Sequence, residues 1–160
     1  MRRSFFASAL VAGLIAGALD ITAACIHAYL RNGTTPEQVL RFIAGGAFGK
    51  ESANGTMMIV WGLLFHFLIA MSFTFLFFLL ARVVPSLVKY PIPVAIAYGA
   101  FVWLFMRYVV LNYISTIKIR PITGQNAILN AIIGAMILMI CIGLPNALLA
   151  RRYVKANALS

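Results

Sequence analysis

Four long apolar stretches separated by polar breaks organise this chain. They run about Ser4–Leu30, Thr56–Ala81, Pro93–Ser115 and Asn126–Leu149. Each reaches the roughly 20 mostly apolar residues that a helix needs to cross a bilayer. The breaks Arg31–Gly55, Arg82–Ile92 and Thr116–Gln125 leave no room for a separate domain. The pattern predicts one all-α domain over residues 1–160: a polytopic membrane protein built as a four-transmembrane-helix bundle.

The first break carries a helix signal of its own. Thr35-Pro36-Glu37-Gln38 supplies a capping Thr, Pro at the first helical position and Gln three residues after the cap. Val39, Leu40, Ile43 and Ala47 follow at helical spacing, and Gly45-Gly46 offers a stop. A short interfacial helix in the first outer loop, covering the bundle end, is the expectation. Asn32-Gly33-Thr34 and Asn54-Gly55-Thr56 match the glycosylation sequon, but they read better as Asn-Gly turns beside helix-starting Thr residues.

Composition agrees with this pattern. The 160 residues are 63% hydrophobic and only 10% charged, more apolar surface than a soluble domain of this size can bury. The net charge of +10 raises the question of nucleic acid. The basic residues, however, sit mostly at the ends of apolar runs, where they flank membrane spans. Cys25 and Cys141 both lie inside apolar runs, which argues against a disulfide or zinc framework. Met1-Arg2-Arg3 and Ala16-Gly17-Ala18 have the form of a leader and its cleavage site. The apolar run continues to about Leu30, so it reads as a span. Seven Lys and Arg fall on the side of the termini and five on the other (Arg31, Arg41, Lys50, Lys118, Arg120). This bias predicts cytoplasmic termini and an outer basic mouth suited to anions.

Charges within spans cost about 2.5–3.5 kcal/mol at the helix centre and therefore call for a reason. Asp20, His66 and Arg107 are the cases, with Asn130 as an uncharged companion. Counted from the terminal side at 1.5 Å per residue, the first three fall within about 2 Å of one level, and Asn130 about one turn beyond. Gly13, Gly17, Asp20, Ala24 and His27 share a face of the first span, and Gly62, His66, Ala70 and Thr74 share one of the second. Small residues on those faces direct the polar groups into helix–helix seams. An intramembrane cluster of Asp20, His66 and Arg107, with Asn130 and Asn112 nearby, is expected, Asp20 pairing with Arg107. His27 lies nearer the interface. Asp20, His27 and His66 lack a further carboxylate or thiolate at metal-ligand spacing, so neither a metal nor another cofactor is expected. Ser72 and Thr74 near His66 are poor nucleophiles, and the hydrolase motifs G-x-S-x-G and H-E-x-x-H are missing from the sequence. Trp61, Trp103, Tyr90 and Tyr113 suit interface anchoring, and the phenylalanines of the second span suit lipid contact or packing. Gly143-Leu144-Pro145 predicts a kink in the last span.

Several runs carry a family resemblance: Ala16-Gly17-Ala18-Leu19-Asp20-Ile21, Gly62-Leu63-Leu64-Phe65-His66, Met106-Arg107-Tyr108 and Gly143-Leu144-Pro145-Asn146-Ala147. Together with Val39–Gly46 and Ala97-Tyr98-Gly99 they resemble a group of small, uncharacterised four-span bacterial inner-membrane proteins, and more distantly the YagU-type membrane proteins. The resemblance implies an inner-membrane location and a four-helix fold, and it carries no activity. Asp20 and His66 fall on motif positions of that group, whereas Arg107 stands where its pattern has Asn. The expected function is that of a non-enzymatic inner-membrane protein, structural or accessory, with membrane lipid as partner and no nucleic acid. A homodimer or a place in a larger membrane assembly fits this reading. The alternative is a small transporter, or a proton or anion permeation pathway, using the Asp-His-Arg cluster.

Overall fold

The computed structural model describes residues 4–49, 55–116 and 122–158. Helix α1 covers Phe5–Asn32, α2 Pro36–Phe48 and α3 Met57–Val83. A 3-10 turn at Pro85–Val88 leads into α4, Pro91–Phe105, which continues as a π-helical stretch over Met106–Ile114. The last span is α5, Gln125–Leu138, a π-helical stretch over Met139–Gly143, and α6, Leu144–Ala158. Four of these units are long and apolar enough to cross a membrane: Phe5–Asn32, Met57–Val83, Pro91–Ile114 and Gln125–Asn157. The protein is an all-α four-helix bundle.

The last span outruns its sequence-based limit at Leu149 by two turns. Ala147 and Ala150 are fully buried, and Tyr153 packs its ring against Phe5 and Phe78, both at 5.9 Å. Buried contacts at helical spacing thus carry the helix through Arg151 and Arg152, whose side chains lie partly or fully in the open. The Phe5–Tyr153 contact also brings both chain ends to one end of the bundle, here called the terminal end. Helix α2 closes the other.

Helix α2 begins as its sequence dictates. The Thr35 hydroxyl accepts from the Gln38 amide at 3.4 Å, and the Gln38 side-chain oxygen accepts from the Thr35 amide at 2.9 Å. The helix does not stop at Gly45-Gly46 but runs on to Phe48. Those glycines instead expose backbone to a neighbour. Thr116 donates its hydroxyl to the Gly45 carbonyl at 2.8 Å and its amide to the Gly46 carbonyl at 2.9 Å. Thr34-Thr35 also divide their roles differently from the sequon reading, since Thr35 caps the helix and Thr34 precedes it. Thr56 precedes α3 without a side-chain cap, and Asn54 lies outside the described residues.

The core occupies the terminal half. Ala9, Ala12 and Ala16 of α1 present a small-residue face against Phe73, Phe77 and Phe78 of α3, so these three rings fill the bundle while Leu76, Leu79 and Leu80 point out. Between apolar helices in lipid, close packing rather than water exclusion holds the contact. Spans three and four also approach closely. A Cβ on Gly99 would land on the Met139 backbone, and one on Gly143 would land on the Ala95 carbonyl oxygen. Gly99→Val should therefore lower bundle stability by about 1–3 kcal/mol. The outward-facing change Ile96→Val should stay within about 0.5 kcal/mol. Thermal unfolding in detergent micelles checks the difference, and equal effects would mean that these two spans do not touch there.

Candidate functional site

The site begins at the seam between α1 and α3. Gly13, Ala16 and Gly17 are buried on the α1 face that meets α3, and Asp20 follows them at the edge of that seam, partly buried. Opposite stands His66, whose Nε2 lies 2.9 Å from the Gly17 carbonyl oxygen. With the ring proton on Nε2, His66 donates to a carbonyl already inside a helix, using its second lone pair. A glycine at position 17 leaves that oxygen unshielded. Asp20 and the His66 imidazole line the same space between the spans.

Between the spans this seam opens into a cavity of about 290 Å³. Its polar wall is Asp20, His27, His66 and Trp103. Ile43 of α2 covers the far end, and Ala70, Val102 and Ile142 form the floor toward the terminal end. The rest of the lining is apolar. Among the described residues no group of three His, Cys, Asp or Glu side chains is arranged to hold a metal ion.

The structure brings Asp20 and His66 together and sets the other two cluster residues elsewhere. Met106 lines the cavity, but its neighbour Arg107 does not. From Met106 onward the third span is π-helical, and its i→i+5 turn is wider than the 3.6-residue period on which the face assignment rests. The residue that lines the cavity together with Asp20 is His66, where an Asp20–Arg107 pair was expected. Asn130 lines a second, shallower cavity of about 580 Å³ together with His27 and Arg31, and its side-chain amide donates to the Asn126 carbonyl of its own helix. Asn112 likewise donates to the Tyr108 carbonyl at 3.4 Å.

Two residues of the expected basic mouth are described. Arg31 is exposed beside the second cavity, while Arg41 is engaged with Glu37 at 3.7 Å. Lys50, Lys118 and Arg120 lie outside the described residues. Two functional candidates were underweighted by sequence reasoning. His27 lines both cavities, and its seven-residue spacing from Asp20 on one face was the available signal. Trp103 faces the cavity, its indole next to Gly134, and nothing in its apolar neighbourhood separates a cavity Trp from an interface anchor.

Comparison of the chain with protein-family models, curated proteins and solved structures finds no match. Residue roles therefore rest on geometry alone. A double-mutant cycle on thermal stability reads that geometry directly. Asp20→Asn combined with His66→Leu should be non-additive by about 0.5–3 kcal/mol, whereas Asp20→Asn combined with Arg107→Gln should add to within about 0.5 kcal/mol. The reverse ranking would place the guanidinium, not the imidazole, against the acid.

Proposed function

We propose that this chain is a non-enzymatic integral membrane protein of a bacterial inner membrane, with cytoplasmic termini, whose cavity takes up a small lipophilic cation such as a protonated amine. The single observation that carries the proposal is the composition of the cavity wall. One carboxyl group, Asp20, stands with two imidazoles and an indole in an otherwise apolar chamber from which Arg107 is absent. An ammonium group would pair with Asp20 and lie against the Trp103 face, and its apolar body would contact Ile69, Val102 and Leu138. The volume of about 290 Å³ suits a small ligand. An anion would meet the acid unfavourably, so the anion-pathway variant has less support than a cation one. Ser72 donates to the Leu68 carbonyl at 2.8 Å, which leaves the imidazole without a hydroxyl nucleophile at its side and supports a binding role over a hydrolytic one. The orientation rests on the seven-to-five distribution of Lys and Arg.

A second reading has one specific observation in its favour. The His66–Gly17 hydrogen bond ties α1 to α3, as it would in a purely structural or accessory protein, whether homodimeric or attached to a larger assembly. A titration separates the two. Benzylammonium should stabilise the protein in lipid nanodiscs by about 2.7 kcal/mol at 100 times Kd, read as a dose-dependent rise in the thermal midpoint. Benzoate should not, and Asp20→Asn should abolish the shift while the protein stays folded. No shift with any amine would leave the scaffold role.

A further inference from the structure

One turn beyond the cavity floor, toward the terminal end, the bundle carries polar atoms that the cavity does not use. Thr74 and Asn146 are fully buried. The Thr74 hydroxyl oxygen and both the amide nitrogen and oxygen of Asn146 have no hydrogen-bond partner. Other polar side chains in these helices behave differently. Thr22, Ser72, Asn112, Asn130 and Asn157 each donate to the carbonyl four residues earlier. Thr74 and Asn146 forgo that local solution, although an unsatisfied buried polar group costs about 1–3 kcal/mol.

Their positions share one level of the bundle. Ala70, Val102 and Ile142 form the cavity floor, and Thr74, Tyr98 and Asn146 each lie four residues farther toward the terminal end on the same three spans. Tyr98 donates its hydroxyl to the carbonyl of Phe73, next to Thr74, and keeps acceptor capacity. The first span contributes Gly13, which packs under the Met71 thioether and lies beside the Thr74 hydroxyl; a Cβ there would come within 3.4 Å of that oxygen. Helix α6 packs against α1, α3 and α4, so the span carrying Asn146 adjoins all of them.

The ligand follows from the chemistry of the unpaired atoms. A metal cation satisfies oxygens only, and an anion satisfies the amide N–H groups only. Asn146 presents both an unpaired donor and an unpaired acceptor, and water is the smallest ligand that serves both together. We propose that Thr74, Tyr98 and Asn146 form a second polar site that holds internal water and extends the Asp20–His66 cavity one turn, about 5.4 Å, toward the terminal end. It goes beyond the cation-binding reading and does not depend on it, because it rests on different residues.

Water-edited solid-state NMR of the full chain in lipid bilayers tests it. Magnetisation from water should reach the Asn146 side-chain nitrogen at least about threefold faster than it reaches the buried Phe77 ring. Thr74→Val should slow that transfer by about twofold or more, and Thr74→Ser should preserve it. Transfer to Asn146 no faster than to Phe77, or unchanged by Thr74→Val, overturns the shared water site. A stability measurement closes the remaining gap. Asn146→Leu should lower the thermal midpoint, since it removes a partner of a bound water, whereas a dry, unpaired amide would be improved by Leu and a raised midpoint refutes the site. Both readouts follow water or stability, not ligand, so they stand whichever way the amine titration falls.

Discussion

An acid inside a hydrocarbon slab must face something that can meet its charge, and the packing of α1 on α3 determines what Asp20 faces. The small residues at Gly13, Ala16 and Gly17 let the two helices approach closely enough for His66 to reach the Gly17 carbonyl. That contact ties the two helices together at this level. It thereby places the imidazole opposite Asp20 and the phenylalanines below it. The aromatic core at Phe73, Phe77 and Phe78, the cavity above it and the cover supplied by Ile43 of α2 all take their positions from this seam.

Two π-helical stretches give the other half of the bundle its character. At Met139–Gly143 the cause is visible: Pro145 lacks an amide hydrogen, so an α-register bond back to Cys141 is impossible. The backbone widens just before it, with the Leu144 amide bonded to the Met139 carbonyl five residues earlier. The expected kink at Gly143-Leu144-Pro145 is resolved as this widening, and Gly143 uses its lack of a side chain to sit on Ala95. At Met106–Ile114 no proline or glycine marks the stretch. The cavity beside it is lined by an acid, two imidazoles and an indole.

Much of this was legible before any coordinates. Length and apolar continuity fixed the four spans, because bilayer thickness leaves little freedom. The Thr35-Pro36-Glu37-Gln38 signature located α2 because capping is local chemistry. Asp20 and His66, placed in one cluster by their small-residue faces and depths, line one cavity. What failed needed non-local information. Arg107 is not among the cavity-lining residues, and its face was read from a 3.6-residue period carried into a π-helical stretch. Gly45-Gly46 was read as a stop because glycine's role in receiving Thr116 depends on a chain segment 70 residues away. Thr74 had been noted on the His66 face, but its significance appeared only when Asn146 and Tyr98 were found at the same level on two other spans.

The central claim is that Asp20 faces an imidazole across the α1–α3 seam. It is tested most directly by carbon–nitrogen dipolar-recoupling NMR on the isotopically labelled protein in bilayers. The expected result is a through-space correlation from the Asp20 carboxyl carbon to the His66 ring nitrogens, lost in His66→Leu. A dominant correlation from Asp20 to the Arg107 guanidinium, with none to His66, would contradict it.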